Sequence, residues 1–289
     1  MALQFRNPFG ISAMSFDPRA LDQMHVDSIN RTPGDFDEMD CPLCLNRTFI
    51  AHLKPDTGYY TTGCSCIPVR KCIREIRSAG LGQVMEQYTF RNYRADTPWQ
   101  KQLKAGAMAF ADNPQGWILF AGQPGSGKSH LCTAIFWQLL RKGIPGAYTS
   151  WRETVNELKT MTLDSERRKP YIDRLKTVPL LYIDDLFKTG SGDGQLSRPT
   201  ATDIGLTFEI LNSRYVNRLT TVISTELLPG ELKAVDDAIG TRILEMAENN
   251  AYTITRSDAR NFRINEAGRA FRAALQKGRT SGNIVGERS

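Results

Sequence analysis

The sequence predicts an α/β fold: a parallel sheet sandwiched by helices. From Trp117 onward, strand-length apolar segments alternate with helix-length amphipathic ones, the pattern that parallel strands joined by helical crossovers produce. One strand runs into a glycine-rich loop and then a helix, and another ends in two adjacent aspartates.

In chain order, the first forty residues are short patches broken by Pro8, Gly10, Pro18, Pro33 and Gly34, with one helix expected around Arg19 to Ile29. Five of the six cysteines follow, and then a basic amphipathic segment from Val69 to Ser78. The expected strands are Trp117 to Ala121, Ala147 to Trp151, Leu180 to Asp184, Thr221 to Thr225 and Ala251 to Thr255. Helices are expected at Lys128 to Arg141, Arg152 to Met161, Ser165 to Lys176 and Ala201 to Arg218. The stretch from Thr189 to Gln195 reads as a flexible loop and the tail after Lys277 as unstructured. This change of pattern divides the chain near residue 85, into an N-terminal module (1–85), an α/β domain (86–275) and a tail (276–289).

Composition narrows the class. Hydrophobic residues make up 40% and charged residues 24% of 289 residues, which excludes a wholly disordered or collagen-like chain. No apolar run approaches the roughly 20 residues of a membrane span, and the N-terminus lacks a secretory leader. A cytoplasmic protein without membrane contact is expected. There, six cysteines argue for metal or catalysis over disulfides. The formal net charge is +6, and the excess gathers from Arg256 onward, where Arg256, Arg260, Arg263, Arg269, Arg272, Lys277, Arg279 and Arg288 face only Asp258, Glu266 and Glu287. Such a balance permits a polyanion partner without requiring one.

The phosphate-binding signature is Gly122-Gln123-Pro124-Gly125-Ser126-Gly127-Lys128-Ser129, with His130 next inside the helix. Glycines let successive N–H groups and the positive helix end surround phosphates. Lys128 can reach the β and γ phosphates, and the Ser129 hydroxyl can coordinate magnesium. A metal-holding carboxylate is then needed on a neighbouring strand, and Asp184-Asp185 supply a pair. Because neighbouring strand side chains point differently, Asp184 is assigned to magnesium and Asp185 to the attacking water. On the next strand, Ser224 or Thr225 can sense the γ-phosphate, or simply end the strand. Tyr88, Phe90, Tyr93 and Trp99 are candidates for an adenine wall or for core.

Cys41-Pro-Leu-Cys44 forms a knuckle able to grip a tetrahedral ion, and Cys64-Ser-Cys66 offers a second pair. The residues between, Thr48 to Tyr60, can form a hairpin turning at Pro55 to Gly58. Four thiolates make a structural zinc site spanning about residues 38–80, with Cys72 as a substitute ligand; a redox pair and unliganded thiols are the alternatives. Lys71, Arg74 and Arg77 follow on a helix, either as a solvated face or as a partner contact.

The runs TFRNYRADTPWQ, GWILFAGQPGSGKSHLCTAI, LLYIDDLFK, TDIGLTFEILNSRYVNRLTTVISTEL, AIGTRIL and RNFR together resemble the DnaC-like helicase loaders, especially those of phages and mobile elements. These are AAA+ ATPases related to IstB-type transposition helpers. The resemblance covers roughly residues 38 to 265. It implies that Gly122 to Ser129 and Asp184-Asp185 bind and hydrolyse ATP with magnesium. Arg242, at the start of a short helix, resembles an arginine finger reaching a neighbouring subunit, and Arg263 resembles a second sensor arginine. Too few residues follow Arg263 for a full helical lid, so a lidless AAA+ domain is expected. By the same resemblance the chain self-associates, contacts single-stranded DNA and engages a DnaB-type replicative helicase through its N-terminal module; the alternative is a helper that targets a transposase to DNA.

Overall fold

The computed structural model describes residues 17–78, 81–161, 164–188, 199–257 and 260–262. The loop from Thr189 to Gln195, Arg263 and the tail at 276–289, all singled out in the sequence, lie outside the described residues. Two compact units part between Arg70 and Lys71, earlier in the chain than the sequence division near residue 85.

The first unit holds α1 (Pro18–Arg31), the antiparallel hairpin β1 (Phe49–Leu53) and β2 (Tyr59–Gly63), and the first turn of α2 (Ile67–Ser78). Asp17 caps α1, its carboxylate accepting from the Arg19 N–H at 2.9 Å. Leu53 pairs with Tyr59 across the hairpin turn, where Gly58 takes the left-handed φ of +84°. Apart from cysteines, the buried apolar side chains among the described residues of this unit are Val26, Ala51 and Val69.

The second unit continues α2 and adds α3 (Gly82–Gln87), α4 (Pro98–Asp112), β3 (Trp117–Gly122), α5 (Lys128–Arg141), β4 (Gly146–Ser150) and α6 (Trp151–Thr160). After these come α7 (Ser165–Thr177), β5 (Leu180–Asp184), α8 (Ala201–Val216), β6 (Thr220–Thr225), α9 (Pro229–Val235), α10 (Asp237–Ala247) and β7 (Ala251–Ile254). The five strands form one parallel sheet in the order β4-β5-β6-β3-β7. Every residue of β3 is buried, as expected of a central parallel strand covered on both faces. On one face Trp117, Leu119, Leu181, Ile183 and Ile223 join Leu206 and Ile210 of α8 and Ile239 and Ile243 of α10 in a single core. Helix α5 packs against β3, β5 and β6, and α4 against α5. This is the AAA+ sheet-and-helix architecture expected from the sequence.

Two local expectations change. Trp151, expected to end a strand, begins α6 with its indole buried and edge-on to Phe187, 6.2 Å between ring centroids. Arg242 sits in the middle of α10 rather than at the start of a short helix, because the Asp236 carboxylate caps the helix earlier, accepting from Ile239 N–H at 2.8 Å.

A buried arginine fastens the end of the sheet opposite the glycine loop. Arg214 of α8 is fully buried. Its guanidinium donates to Leu175 O at 2.9 Å, Val178 O at 2.8 Å, Thr220 O at 2.7 Å and Thr221 Oγ1 at 2.9 Å. Burial draws its pKa down to about 9, which still leaves it protonated at neutral pH.

Candidate functional site

The glycine loop joins the end of β3 to α5. Gly127 at φ +88° is the residue before α5, and a Cβ there would stand 2.8 Å from the Tyr93 ring. Only glycine fits that turn. The Ser126 hydroxyl donates to Gln123 O at 2.7 Å, and Gln123 is gripped by the chain after β7: its N–H donates to Ile254 O at 2.9 Å and its side-chain oxygen accepts from Ser257 N–H at 2.8 Å. Lys128 is buried, its Nζ donating to Gly122 O and Gln123 O, both at 2.8 Å. Burial lowers its pKa.

Both aspartates meet this loop. The Ser129 hydroxyl donates to Asp184 Oδ1 at 2.9 Å, and the Ser224 hydroxyl donates to the same oxygen. Ser224 Oγ in turn accepts from the Asp185 N–H at 2.9 Å. Asp185 takes a left-handed φ of +54°, which aspartate tolerates better than most residues. Lys188 Nζ reaches Asp185 Oδ2 at 2.9 Å and Glu226 Oε1 at 2.8 Å.

A pocket of about 370 Å³ is lined by Gly125, Gly127, Lys128, Ser129, Asp185, Lys188 and Glu226 and by Tyr88, Asn92, Tyr93, Arg94, His130 and Phe262. His130 is stacked on Tyr88 with centroids 4.7 Å apart, meets the edge of Tyr93, and donates from Nε2 to Thr89 O at 2.8 Å. Burial lowers the His130 pKa, so the imidazole is neutral at pH 7. The Tyr93 hydroxyl is buried with no hydrogen-bond partner among the described residues. The lining thus offers a nucleotide aromatic faces at Tyr88, Tyr93 and Phe262 with an unused hydroxyl, suited to a base, and lysines beside the glycine loop, suited to a polyphosphate.

The other predicted residues fall elsewhere. Thr225 is fully buried, its hydroxyl donating to Leu186 O at 2.8 Å and accepting from Leu227 N–H at 3.1 Å. Ser224 therefore, not Thr225, brings a hydroxyl to the aspartates. The Arg242 guanidinium lies over Phe208 and Tyr215, 5.0 and 5.5 Å from their centroids, with Nη1 donating to Ala238 O. Of the aromatics, Tyr88 and Tyr93 line the pocket, while Trp99 packs on Phe262 at 6.4 Å between centroids. Lys188, Asn92, Arg94 and Phe262 were not anticipated; the basic residue three positions after Asp185 was the one visible signal.

In the first unit the four sulfurs of Cys41, Cys44, Cys64 and Cys66 lie within 4.8 Å of one another and are buried. Cys41 and Cys64 sulfurs are 3.7 Å apart and those of Cys44 and Cys66 3.6 Å. A tetrahedral zinc with its usual bond to sulfur sets that edge at about 3.8 Å, so the donor set fits zinc. Arg70, fully buried, donates to Cys66 Sγ at 3.3 Å, Glu38 Oε2 at 2.9 Å and Asn46 Oδ1 at 2.7 Å, placing a cation against a thiolate-rich centre. Cys72 does not join them: it belongs to the second unit, where it lines a separate small cavity with Tyr148 and Arg174. Helix periodicity turns it to the buried side of α2, away from exposed Lys71, Arg74 and Arg77.

A family model of IstB-like ATP binding proteins matches residues 68–254. The chain belongs to that family. As an IstB-like protein it is an AAA+ ATPase. Among its relatives, it is similar to the phage-like element PBSX protein XkdC of Bacillus subtilis (strain 168), 34% identical over 229 residues covering 75% of this chain and 82% of the relative. It is also similar to the replicative helicase loader DnaC of Escherichia coli (strain K12), 27% identical over 120 residues, 40% of this chain and 49% of that protein. A crystal structure of the DnaC helicase loader superposes on 61% of this chain and 99% of its own length, with 19% identity and a TM-score of 0.48.

Proposed function

We propose that this chain is an ATP-dependent loader that places a DnaB-type replicative helicase on single-stranded DNA during replication initiation. The supporting observation is a pocket lined by Lys128, Ser129 and Asp185, with Asp184 hydrogen-bonded to Ser129, in a chain similar to a replicative helicase loader. Residues 1–85 are the proposed helicase-binding module, 86–275 the ATPase domain and 276–289 a tail.

In this reading the loop N–H groups of Gly125, Ser126 and Gly127, together with Lys128, bind the phosphates, and His130 packs at the base end. Ser129 and Asp184, already joined by a hydrogen bond, are the residues that would hold magnesium. When bound, the ion draws negative charge from the phosphates. Asp185 orients and polarises the attacking water, and Ser224 holds both aspartates in place through the bonds to Asp184 Oδ1 and from Asp185 N–H. Arg242 is the proposed finger for a neighbouring protomer of a homo-oligomer, a role that requires its guanidinium to leave the Phe208–Tyr215 stack. Arg263 is the proposed second sensor by resemblance. Zinc at Cys41, Cys44, Cys64 and Cys66 folds the N-terminal module and leaves no open position for chemistry. A cytoplasmic location goes with this role, and no helix among the described residues is long and apolar enough to cross a membrane.

The family description favours a second reading, an IstB-type ATPase helper that targets a transposase to DNA. One experiment separates the two: the full chain with ATP is mixed with a purified DnaB-type helicase or with an IS21-type transposase, and unwinding of protein-coated single-stranded circles carrying a primer is followed. The loader reading expects a stable helicase complex and faster unwinding. Binding of the transposase with no helicase complex would overturn it.

A further inference from the structure

Three residues after Asp185 stands a lysine that the loop motif does not include. The chain leaves β5 through a tight turn: Leu186 N–H donates to Ser224 O at 2.9 Å, Phe187 adopts φ +61°, and Lys188 N–H donates to Asp185 O at 2.9 Å. Leu186 and Phe187 are buried, the latter against Trp151. The stem of Lys188 therefore starts from a fixed base, and its ammonium is held at 2.9 Å by Asp185 Oδ2 and at 2.8 Å by Glu226 Oε1. All three side chains line the pocket that also holds Lys128 and Ser129.

We propose that Lys188 is a second lysine ligand of the terminal phosphate, held in place by Glu226, and that it makes the pocket selective for nucleoside triphosphates over diphosphates. The inference rests on the nucleotide-site reading above and names a residue that reading did not use. An ammonium has three donors. Two are engaged by Asp185 and Glu226, and the third is left for a phosphate oxygen. Asp185 is the acid assigned to the water that attacks the terminal phosphate, so a cation one hydrogen bond from that acid stands at the same end of the nucleotide. Charge balance points the same way. Asp185 and Glu226 line the pocket and Asp184 is hydrogen-bonded to its Ser129; without Lys188 these carboxylates would face a polyphosphate with Lys128 and Arg94 as the only lysine or arginine side chains among the described lining residues. Burial acts to lower the Lys188 pKa, but its bonds to Glu226 and Asp185 outweigh that and raise it, so it remains a cation.

The test is calorimetric titration of the full chain with a non-hydrolysable ATP analogue and with ADP, both with magnesium. Loss of one charge-assisted hydrogen bond to the terminal phosphate should weaken the triphosphate about tenfold or more in Lys188→Met, while ADP affinity stays within about twofold. Lys188→Arg should keep most of the preference, because the cation remains. Lys128→Ala serves as the control that weakens both nucleotides. Equal weakening of both nucleotides in Lys188→Met, or no change in either, would overturn the proposal while leaving the pocket assignment intact. A wild-type chain that binds neither nucleotide, or a Lys128→Ala variant that binds as wild type, would instead overturn the nucleotide-site reading, and Lys188 with it.

Discussion

Removing metal from the first unit should unfold it and leave the second standing. Among its described residues the non-cysteine buried apolar side chains are Val26, Ala51 and Val69, and full burial of two valines and an alanine stabilises by only about 4 kcal/mol. Structural zinc in small modules supplies roughly 10–16 kcal/mol. Metal held by the four buried thiols would thus outweigh apolar burial among the described residues of this unit, and the fully buried Arg70 and its partner Glu38, 2.9 Å apart, would depend on the framework built around it. Cys44→Ser, or treatment of the full chain with a strong zinc chelator, should abolish amide-exchange protection across the Phe49–Leu53 and Tyr59–Gly63 hairpin. ATP binding should persist, because the pocket is lined wholly by second-unit residues. Elemental analysis of purified protein should find one zinc per chain. Protein free of tightly held metal, or hairpin protection that survives chelation, would refute the zinc site and the energetic reasoning behind it.

Lys128→Ala should lose ATP affinity by at least about tenfold, whereas Asp185→Asn should bind ATP near the wild-type level and hydrolyse it at least about a hundredfold more slowly; equilibrium binding and phosphate release read the two effects. Arg242→Ala should bind ATP normally but turn it over slowly, and mixing it with Asp185→Asn should restore part of the activity through interfaces that pair an intact arginine with an intact Asp185. Full activity of Arg242→Ala alone would mark the Phe208–Tyr215 stack as its whole role. Gly106→Ala should lower stability by about 1–3 kcal/mol, since the added methyl would overlap the Tyr252 hydroxyl, which lies 1.9 Å from the new carbon; a melting temperature equal to wild type would show that Tyr252 moves aside freely.

What was legible in the sequence was local. The loop from Gly122 to Ser129 declares itself because strand, turn and helix are contiguous, and Asp184-Asp185 because an apolar strand ends on them. Helix α4 went unread although its signals were present: Thr97 before Pro98, with the Gln100 side chain accepting from the Thr97 N–H at 2.8 Å. Other features depend on strand order. That β6 lies between β5 and β3 decides that Ser224 meets Asp184 and that Glu226 meets Lys188; no spacing within the chain states it. Cysteine spacing likewise kept Cys72 open as a substitute for one of the Cys64–Cys66 ligands, and the fold places it in the other unit.

Arg214 bears on the order in which the second unit assembles. Its acceptors Leu175 O and Val178 O lie 39 and 36 positions away along the chain, and Thr221 Oγ1 lies 7 away on β6. These bonds can close only when the end of α7, the start of β5 and the start of β6 have already met, and until then a guanidinium remains better solvated by water. They are thus expected to close on the native side of the folding barrier. Weakening them with Arg214→Lys should therefore leave the refolding rate nearly unchanged and accelerate unfolding, making this side chain a determinant of how long the folded state lasts rather than how fast it forms. A chevron in which the refolding limb moves instead would place β5–β6 pairing, with Arg214 already seated, at the barrier itself.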